Sequence, residues 1–221
     1  MIPPGDNADF VANMERVLVV YKRPFDKDNP VVCMDESPKQ LISCTREVLP
    51  MKPGKGKRVD YEYIRHGVVN IFMANEPLSG KRMTEVIKTK TKKDWANFVK
   101  KIADEQYPEA DKITLVMDNL NTHKASSLYE TFAPDEAKRI WDRFEFVYTP
   151  KHGSWLNMAE IELHVLNGQC LNRHIPTIEM VEAEVKAWQK DRNNKSCKIN
   201  WQFTTKDSRV KLKRLYPSIH N

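Results

Sequence analysis

Acidic residues at three widely separated positions have the chemistry of a metal-dependent phosphoryl-transfer site. Asp35 and Asp118 each end a short apolar run, and Glu160 or Glu162 lies near the start of a predicted helix. Carboxylate oxygens are the ligands that Mg²⁺ and Mn²⁺ prefer. Two such ions held close together activate an attacking hydroxyl and stabilise a leaving oxygen. We find no Ser-His or Cys-His spacing, which favours direct in-line attack over a covalent enzyme intermediate.

The predicted elements place these acids in one α/β sheet. The hydrophobic patterns and turn residues predict three antiparallel strands first, and then strands that alternate with helices. The expected strands are 31–36, 65–75, 82–88, 112–117 and 144–148. The expected helices are 8–24, one opened by the capping box Thr91–Asp94, 126–132, 134–142, 155–171 with Ser154 as N-cap, 177–192 and 209–215. This order predicts a ribonuclease H-like mixed sheet with helices on both faces, where strand ends and one helix meet at a single edge.

The helical pattern alone does not choose the third acid. Ala159, Leu163 and Leu166 form the predicted core stripe of the helix that follows Ser154. At about 100° per residue, Glu160 and Glu162 flank that stripe on opposite sides. The helix geometry therefore leaves both Glu160 and Glu162 as candidates for the third acid.

Composition and charge favour an acidic partner. The chain has 221 residues with a formal net charge of +6, which suits one globular domain that binds nucleic acid. Lys55, Lys57 and Arg58 lie in a basic, glycine-bearing loop that is either a solvated loop or a grip on a phosphate backbone. No apolar run approaches the roughly 20 residues of a membrane span. The acidic N-terminal segment has no signal-peptide core, so we expect a cytoplasmic protein without a membrane partner.

Two segments resemble the motifs of a known family. Asp118-Asn-Leu-Asn-Thr-His123 and Thr149-Pro-Lys-His-Gly-Ser-Trp-Leu-Asn-Met-Ala-Glu160 are similar to motifs of DDE transposases in the bacterial insertion-sequence branch of the Tc/mariner superfamily. The strand that ends in Asp35 resembles the first-acid strand of that family. The sequence departs from the family pattern at Met158, where proline is usual, and in extra residues from Lys151 to Ser154 that lengthen the turn.

The resemblance implies an activity and a set of site residues. Asp35, Asp118 and Glu160 would be the catalytic acids and would hold two Mg²⁺ or Mn²⁺ ions. The implied reaction is hydrolysis at transposon ends, followed by attack of the freed 3′-hydroxyl on target DNA. The partners would be double-stranded DNA, at the transposon ends and the target, and a second copy of the chain, acting at the cytoplasmic nucleoid.

Basic residues near the acids are the expected DNA contacts. The candidates are His123, Lys151 and His152, together with the basic loop residues Lys55, Lys57 and Arg58. The alternative for each is a side chain that only packs or is solvated. Trp155 is expected in the core at the helix start, with base stacking as the alternative.

The expected organisation is that of a catalytic domain alone. We predict an N-terminal helix and linker at 1–30, the ribonuclease H-like domain at 31–195 and a basic helical extension at 196–221. Two other functions stay open: a ribonuclease H-like nuclease or resolvase that cuts without joining, and an inactive relic that only binds DNA or protein. It also stays open whether Glu162 replaces or assists Glu160.

Overall fold

A single mixed sheet forms the centre of the protein. The computed structural model describes residues 5–45, 53–54 and 62–218. Five strands lie in the order β3-β2-β1-β4-β5. Their bounds are β1 Val31–Cys44, β2 Tyr63–Glu76, β3 Lys81–Ile87, β4 Ile113–Met117 and β5 Phe144–Tyr148.

The pairing directions follow from the connections between strands. The strands β1, β2 and β3 are consecutive in the chain and pair antiparallel, whereas β4 and β5 are reached through helices and pair parallel to β1 and to each other. This strand order and mixture of directions confirm the predicted ribonuclease H-like fold class.

Helices cover both faces of the sheet. On one face, α2 (Lys92–Lys101), α3 (Ala125–Tyr129) and α4 (Pro134–Asp142) pack on alternate strand residues such as Val32 and Met34. On the other face lie α1 (Ala8–Val20), α5 (Met158–Leu166), α6 (Ile178–Asn194) and a C-terminal segment with α7 (Thr205–Lys211). Within the described ranges, no helix combines the length and apolar character that crossing a membrane requires.

The strand β1 extends well beyond its predicted end at residue 36, whereas β2 lies close to its predicted bounds of 65–75. The pairing of β1 with β2 continues past the rest of the sheet to Cys44 and Tyr63. The residues of β2 from Tyr63 to Val68, which pair with this extension, are exposed. Antiparallel hydrogen bonding to a neighbouring strand satisfies the backbone there without a buried face.

The start of the helix that carries Glu160 differs from the prediction. A 3₁₀ turn at Ser154–Leu156 precedes it, and Asn157 is the N-cap of α5, so the expected Ser154 cap is wrong. The helix α5 ends at Leu166 and continues as a wider π-helical turn at Asn167–Leu171. The capping box predicted at Thr91 is present, and a second capping box, at Thr204, opens α7.

Candidate active site

The first two acids lie at the same edge of two neighbouring parallel strands. Cys33 pairs with Val116 at the end of the β1 and β4 ladder, and both side chains belong to the cluster under α1 and α5. Side chains alternate between faces along a strand, so Asp35 is directed to the face that α5 covers. Asp118 directly follows β4 at this edge, two residues after Val116.

The helix α5 brings the third acid to this face. Glu160 lies in its first turn and is exposed, while Met158 and Ala159 beside it are buried in the cluster under α1. The N-cap, Asn157, is fully buried, and its Oδ1 accepts a hydrogen bond from the Ala159 N–H at 3.1 Å. Its Nδ2 donates to the Met34 carbonyl at 2.8 Å, which ties the helix to the residue before Asp35.

Electrostatic coupling shows that the three acids are neighbours. The pKa of Asp35 is raised to about 7, mainly by burial; the charges of Glu36, Asp118 and Glu160 contribute to the rise, and a hydrogen bond from the Glu36 N–H opposes it. Like charges disfavour one another's ionised forms in this way only at short range. A bound cation relieves such crowding, because it stabilises every ionised carboxylate around it.

The donor set has the chemistry that suits magnesium or manganese. Asp35, Asp118 and Glu160 offer only carboxylate oxygens, which hard divalent cations prefer. As the side chains are placed, no three His, Cys, Asp or Glu groups within residues 5–45, 53–54 and 62–218 converge tightly enough to hold an ion. To share one cation, the three carboxylates would have to lie closer together than they do here, and 29% of the Asp118 side chain is exposed to solvent.

The other candidate glutamate is committed to a buried ion-pair network. The Glu162 side chain is 2% exposed, and its carboxylate pairs with Arg82 Nε at 2.5 Å and with an Arg192 nitrogen at 2.8 Å. Arg82 also donates to the Gly80 and Cys197 carbonyls. Glu162 therefore joins α5 to β3 and α6, and this placement favours Glu160 as the third acid.

A buried histidine holds the carboxylate of Asp118. The Nδ1 atom of His123 lies 2.7 Å from Asp118 Oδ1 and Nε2 lies 3.4 Å from Glu36, while the ring stacks on Trp95 at 5.6 Å. Burial disfavours the charged imidazole, but Asp118 and Glu36 together raise the pKa of His123 to about 9. Lys90 pairs with Glu36 at 2.7 Å and, with His123, lowers the pKa of Glu36 although burial opposes this.

This burial bears on the expected DNA contact of His123. The side chain is 1% exposed, which leaves no surface for direct contact with DNA. Its partners indicate a different role, because it holds the carboxylate of Asp118 from below the protein surface. We therefore treat His123 as a positioning residue.

Lys151 and His152 lie in the turn between β5 and α5, beside Asp118. Both are exposed and line a cavity that Asp118 and Asn119 also line. The basic loop residues Lys55, Lys57 and Arg58 lie outside the described residues. Trp155 is half-buried and packs edge-on against Phe203 at 5.7 Å, in the core position that the sequence favoured.

Sequence reasoning missed three residues that support the site. The N-cap preference for asparagine gave a usable signal for Asn157, because this residue directly precedes the helix. Glu36 carried a weaker signal, since strand alternation directs it away from Asp35 and into the apolar face. Nothing in the sequence marked Lys90 as its partner.

A comparison with protein families finds one match that covers most of the chain. A family model described as DDE superfamily endonuclease matches residues 30–182, a range that includes Asp35, Asp118 and Glu160. A comparison with curated proteins finds no match.

Solved structures of a mariner transposase share the fold. The Mos1 mariner paired-end complex with Mn matches with a TM-score of 0.61 and 15% identity, over 89% of this chain and 60% of that chain. The paired-end complex with Mg matches with a TM-score of 0.56 and 15% identity, over 99% of this chain and 66% of that chain. The Mos1 strand transfer complex matches with a TM-score of 0.55 and 14% identity, over 86% of this chain and 59% of that chain. This chain thus spans about 60% of the length of the first of these, and at such identity the likeness is one of fold.

Proposed function

We propose, from the premise that this chain belongs to the DDE superfamily endonuclease family, that it is the catalytic domain of a transposase of the Tc/mariner type. Its reaction would be cleavage of a DNA strand with Mg²⁺ or Mn²⁺, followed by attack of a 3′-hydroxyl on target DNA. The observation that supports the proposal is the position of Asp35, Asp118 and Glu160 near one edge of the sheet, where the charges of Asp118 and Glu160 help to raise the pKa of Asp35.

Individual residues of the chain would bind the metal ions or position the acids. Asp35, Asp118 and Glu160 would hold two divalent cations, which when bound activate the attacking oxygen and stabilise the leaving one. His123 keeps the Asp118 carboxylate in place, and Asn157 keeps Glu160 in register with Asp35.

Basic residues around the acids would bind the DNA backbone. Lys151 and His152 are exposed beside Asp118, where a phosphate next to the reacting one would lie. The loop residues Lys55, Lys57 and Arg58 would add contacts that carry no sequence information. Such binding weakens steeply with salt, because it releases counterions from the DNA.

Nicking of supercoiled DNA with Mn²⁺ tests the catalytic proposal. Asp118→Asn should lower the nicking rate by about 100-fold or more, since even outer-shell partners of a metal are worth about 10- to 100-fold. Asp111→Asn is the matched control, because Asp111 is exposed at the opposite end of β4. Equal Mn²⁺ affinity by calorimetry and equal nicking for Asp118→Asn and wild type would refute the proposal.

Strand joining needs a separate assay. A labelled oligonucleotide duplex with a free 3′-hydroxyl should become covalently joined to plasmid DNA. Nicking without any joined product would support the nuclease alternative, and the absence of both activities would support the relic.

The proposed assembly is a homodimer on DNA at the nucleoid of the cytoplasm. The mariner structures are described as paired-end complexes, in which two transposon ends are held together. Light scattering with and without DNA would test the dimer, and a monomer under both conditions would contradict it.

A further inference from the structure

A cavity opens beside Asp118, outside the carboxyl ends of two parallel strands. Its volume is about 360 Å³, and it lies between the loops that follow β4 and β5. The Thr149 N–H donates to the Met117 carbonyl at 2.9 Å, so the ends of β4 and β5 stay paired up to the floor of the cavity. The loops that follow the two strands separate beyond this point. Ligands of parallel sheets bind in crevices of this kind.

The turn that forms one wall is rigidly built. The Gly153 N–H donates to the Pro150 carbonyl at 2.8 Å, and the Leu156 N–H donates to the Gly153 carbonyl at 3.0 Å. A Cβ atom at Gly153 would lie 2.5 Å from the Pro150 ring, so only glycine fits there. His152 has a φ of 66°, in the left-handed region that residues other than glycine seldom adopt. Strained backbone of this kind is concentrated at binding and catalytic sites.

The opposite wall is also fixed. The Tyr148 hydroxyl donates to the His123 carbonyl at 2.8 Å, and the His123 N–H donates to the Leu120 carbonyl at 3.0 Å. These bonds hold the loop that carries Asp118 and Asn119. The cavity is therefore a preformed crevice between two anchored loops.

The lining has the chemistry of a site for one nucleotide. Lys151 and His152 supply positive charge at the rim, and neither has an ion-pair partner within the part of the chain that the structure describes. Unpaired bases stack on aromatic rings, including imidazole, and hydrogen-bond to polar side chains. His152 and Asn119 provide these two groups. A volume of about 360 Å³ lies at the low end of the range for small-ligand pockets, about 300–1,000 Å³, so the cavity suits a nucleotide and excludes a duplex.

We propose that this cavity binds a single unpaired nucleotide next to the scissile phosphate. This inference rests on the proposed function, because Asp118 is shared by the cavity and the acid cluster. The phosphate of the bound nucleotide faces Lys151, and its base lies against His152 with Asn119 at its edge. The turn from Lys151 to Ser154, which departs from the family motif, thereby becomes a determinant of the DNA position that is cut.

Binding to two DNA duplexes tests the inference. One duplex is blunt, and the other has the same sequence with one unpaired 2-aminopurine nucleotide at a 3′ end. Anisotropy gives the affinity of each without added divalent metal, and 2-aminopurine emission reports on the stacking of the unpaired base. We expect the overhang duplex to bind about fivefold more tightly or better, which is about 1 kcal/mol at 1.4 kcal/mol per tenfold.

Two variants distinguish the cavity from general DNA affinity. Ser154→Trp fills the cavity and should remove the preference for the overhang, while Ser126→Trp, at an exposed serine outside the lining, should keep it. His152→Gly relaxes the left-handed backbone, so it should fold at least as well as wild type and still lose the preference. Lys151→Ala should weaken binding to both duplexes. It should also lower by about one the slope of the logarithm of the affinity against the logarithm of the salt concentration.

The outcomes separate the two proposals. Equal affinity of wild type for both duplexes, with no change in 2-aminopurine emission, would overturn the nucleotide site and leave DNA binding intact. A preference for the overhang that survives in Ser154→Trp and His152→Gly would also overturn it. Absence of binding to either duplex would overturn the proposed function together with this inference.

Discussion

Asn157 should determine the separation of two catalytic acids, and the variant Asn157→Ser isolates that role. Serine is as good an N-cap as asparagine, so it keeps the acceptor for the first turn of α5. Its side chain is too short to reach the Met34 carbonyl, which asparagine binds at 2.8 Å. The substitution therefore releases α5 from β1 without removing the cap.

The magnitude follows from the burial of the broken bond. Asn157 is 0% exposed, and an unpaired buried carbonyl costs about 1–3 kcal/mol. At about 2 kcal/mol, Tm should fall by roughly 4–8 °C for a chain of this size. Asn157→Ala should cost about 1 kcal/mol more, because the cap is lost as well. Asn167→Ser, at an exposed position after the same helix, is the control and should change stability by less than about 0.5 kcal/mol.

Two measurements decide the case. Thermal and urea unfolding give the stability change, and calorimetric titration with Mn²⁺ shows whether the acids have moved apart. We expect Asn157→Ser to weaken Mn²⁺ binding by about 10- to 100-fold, the usual effect of an outer-shell change. An Asn157→Ser protein as stable as wild type would refute the strand tie, and a destabilised protein with unchanged Mn²⁺ affinity would refute the positioning role.

Three other predictions rest on buried charges. Glu162→Ala should lower the free energy of unfolding by about 3–5 kcal/mol, because Arg82 keeps an uncompensated charge, whereas exposed Glu160→Ala should change it by less than about 0.5 kcal/mol in urea unfolding. His123, with its pKa raised to about 9, stabilises the fold fully below its ordinary pKa and loses this contribution as pH rises through about 9; unfolding of His123→Asn against pH should lack that loss. Asp35, whose pKa is raised from 3.8 to about 7, opposes folding once ionised, so Asp35→Asn should raise the Tm without divalent metal more at pH 8 than at pH 5. An equal rise at both pH values would contradict the last prediction.

The positions of Asp35 and Asp118 were predictable because local patterns encode them. A short apolar run with turn residues around it predicts a buried strand, and Asp35 directly follows such a run at the point where β1 extends past the end of its ladder with β4. The order of elements then predicted which strand ends meet. Nothing beyond hydrophobic periodicity and the handedness of crossovers was needed for these two acids.

The roles of the two glutamates on α5 were not predictable from the helix alone. Glu160 and Glu162 flank the same apolar stripe, and only the neighbours in space distinguish them. The partner of Glu162 is Arg82, 80 residues away along the chain, and no local signal links the two. The extension of β1 beyond Glu36 was missed for the opposite reason, because an exposed strand pair leaves no hydrophobic pattern to detect.

The register of β1 assigns chemistry to two adjacent acids. Asp35 and Glu36 are chemically similar, yet strand alternation directs Asp35 to the face of α5 and Glu36 to His123 on the other face. A slip of one residue would exchange them, because every side chain would then change face. The pairing of Cys33 with Val116 and the bond from Asn157 to Met34 both resist that slip, and they do so at the two residues immediately before Asp35. The same contacts that hold the sheet together therefore decide which acid faces α5 and which one faces His123.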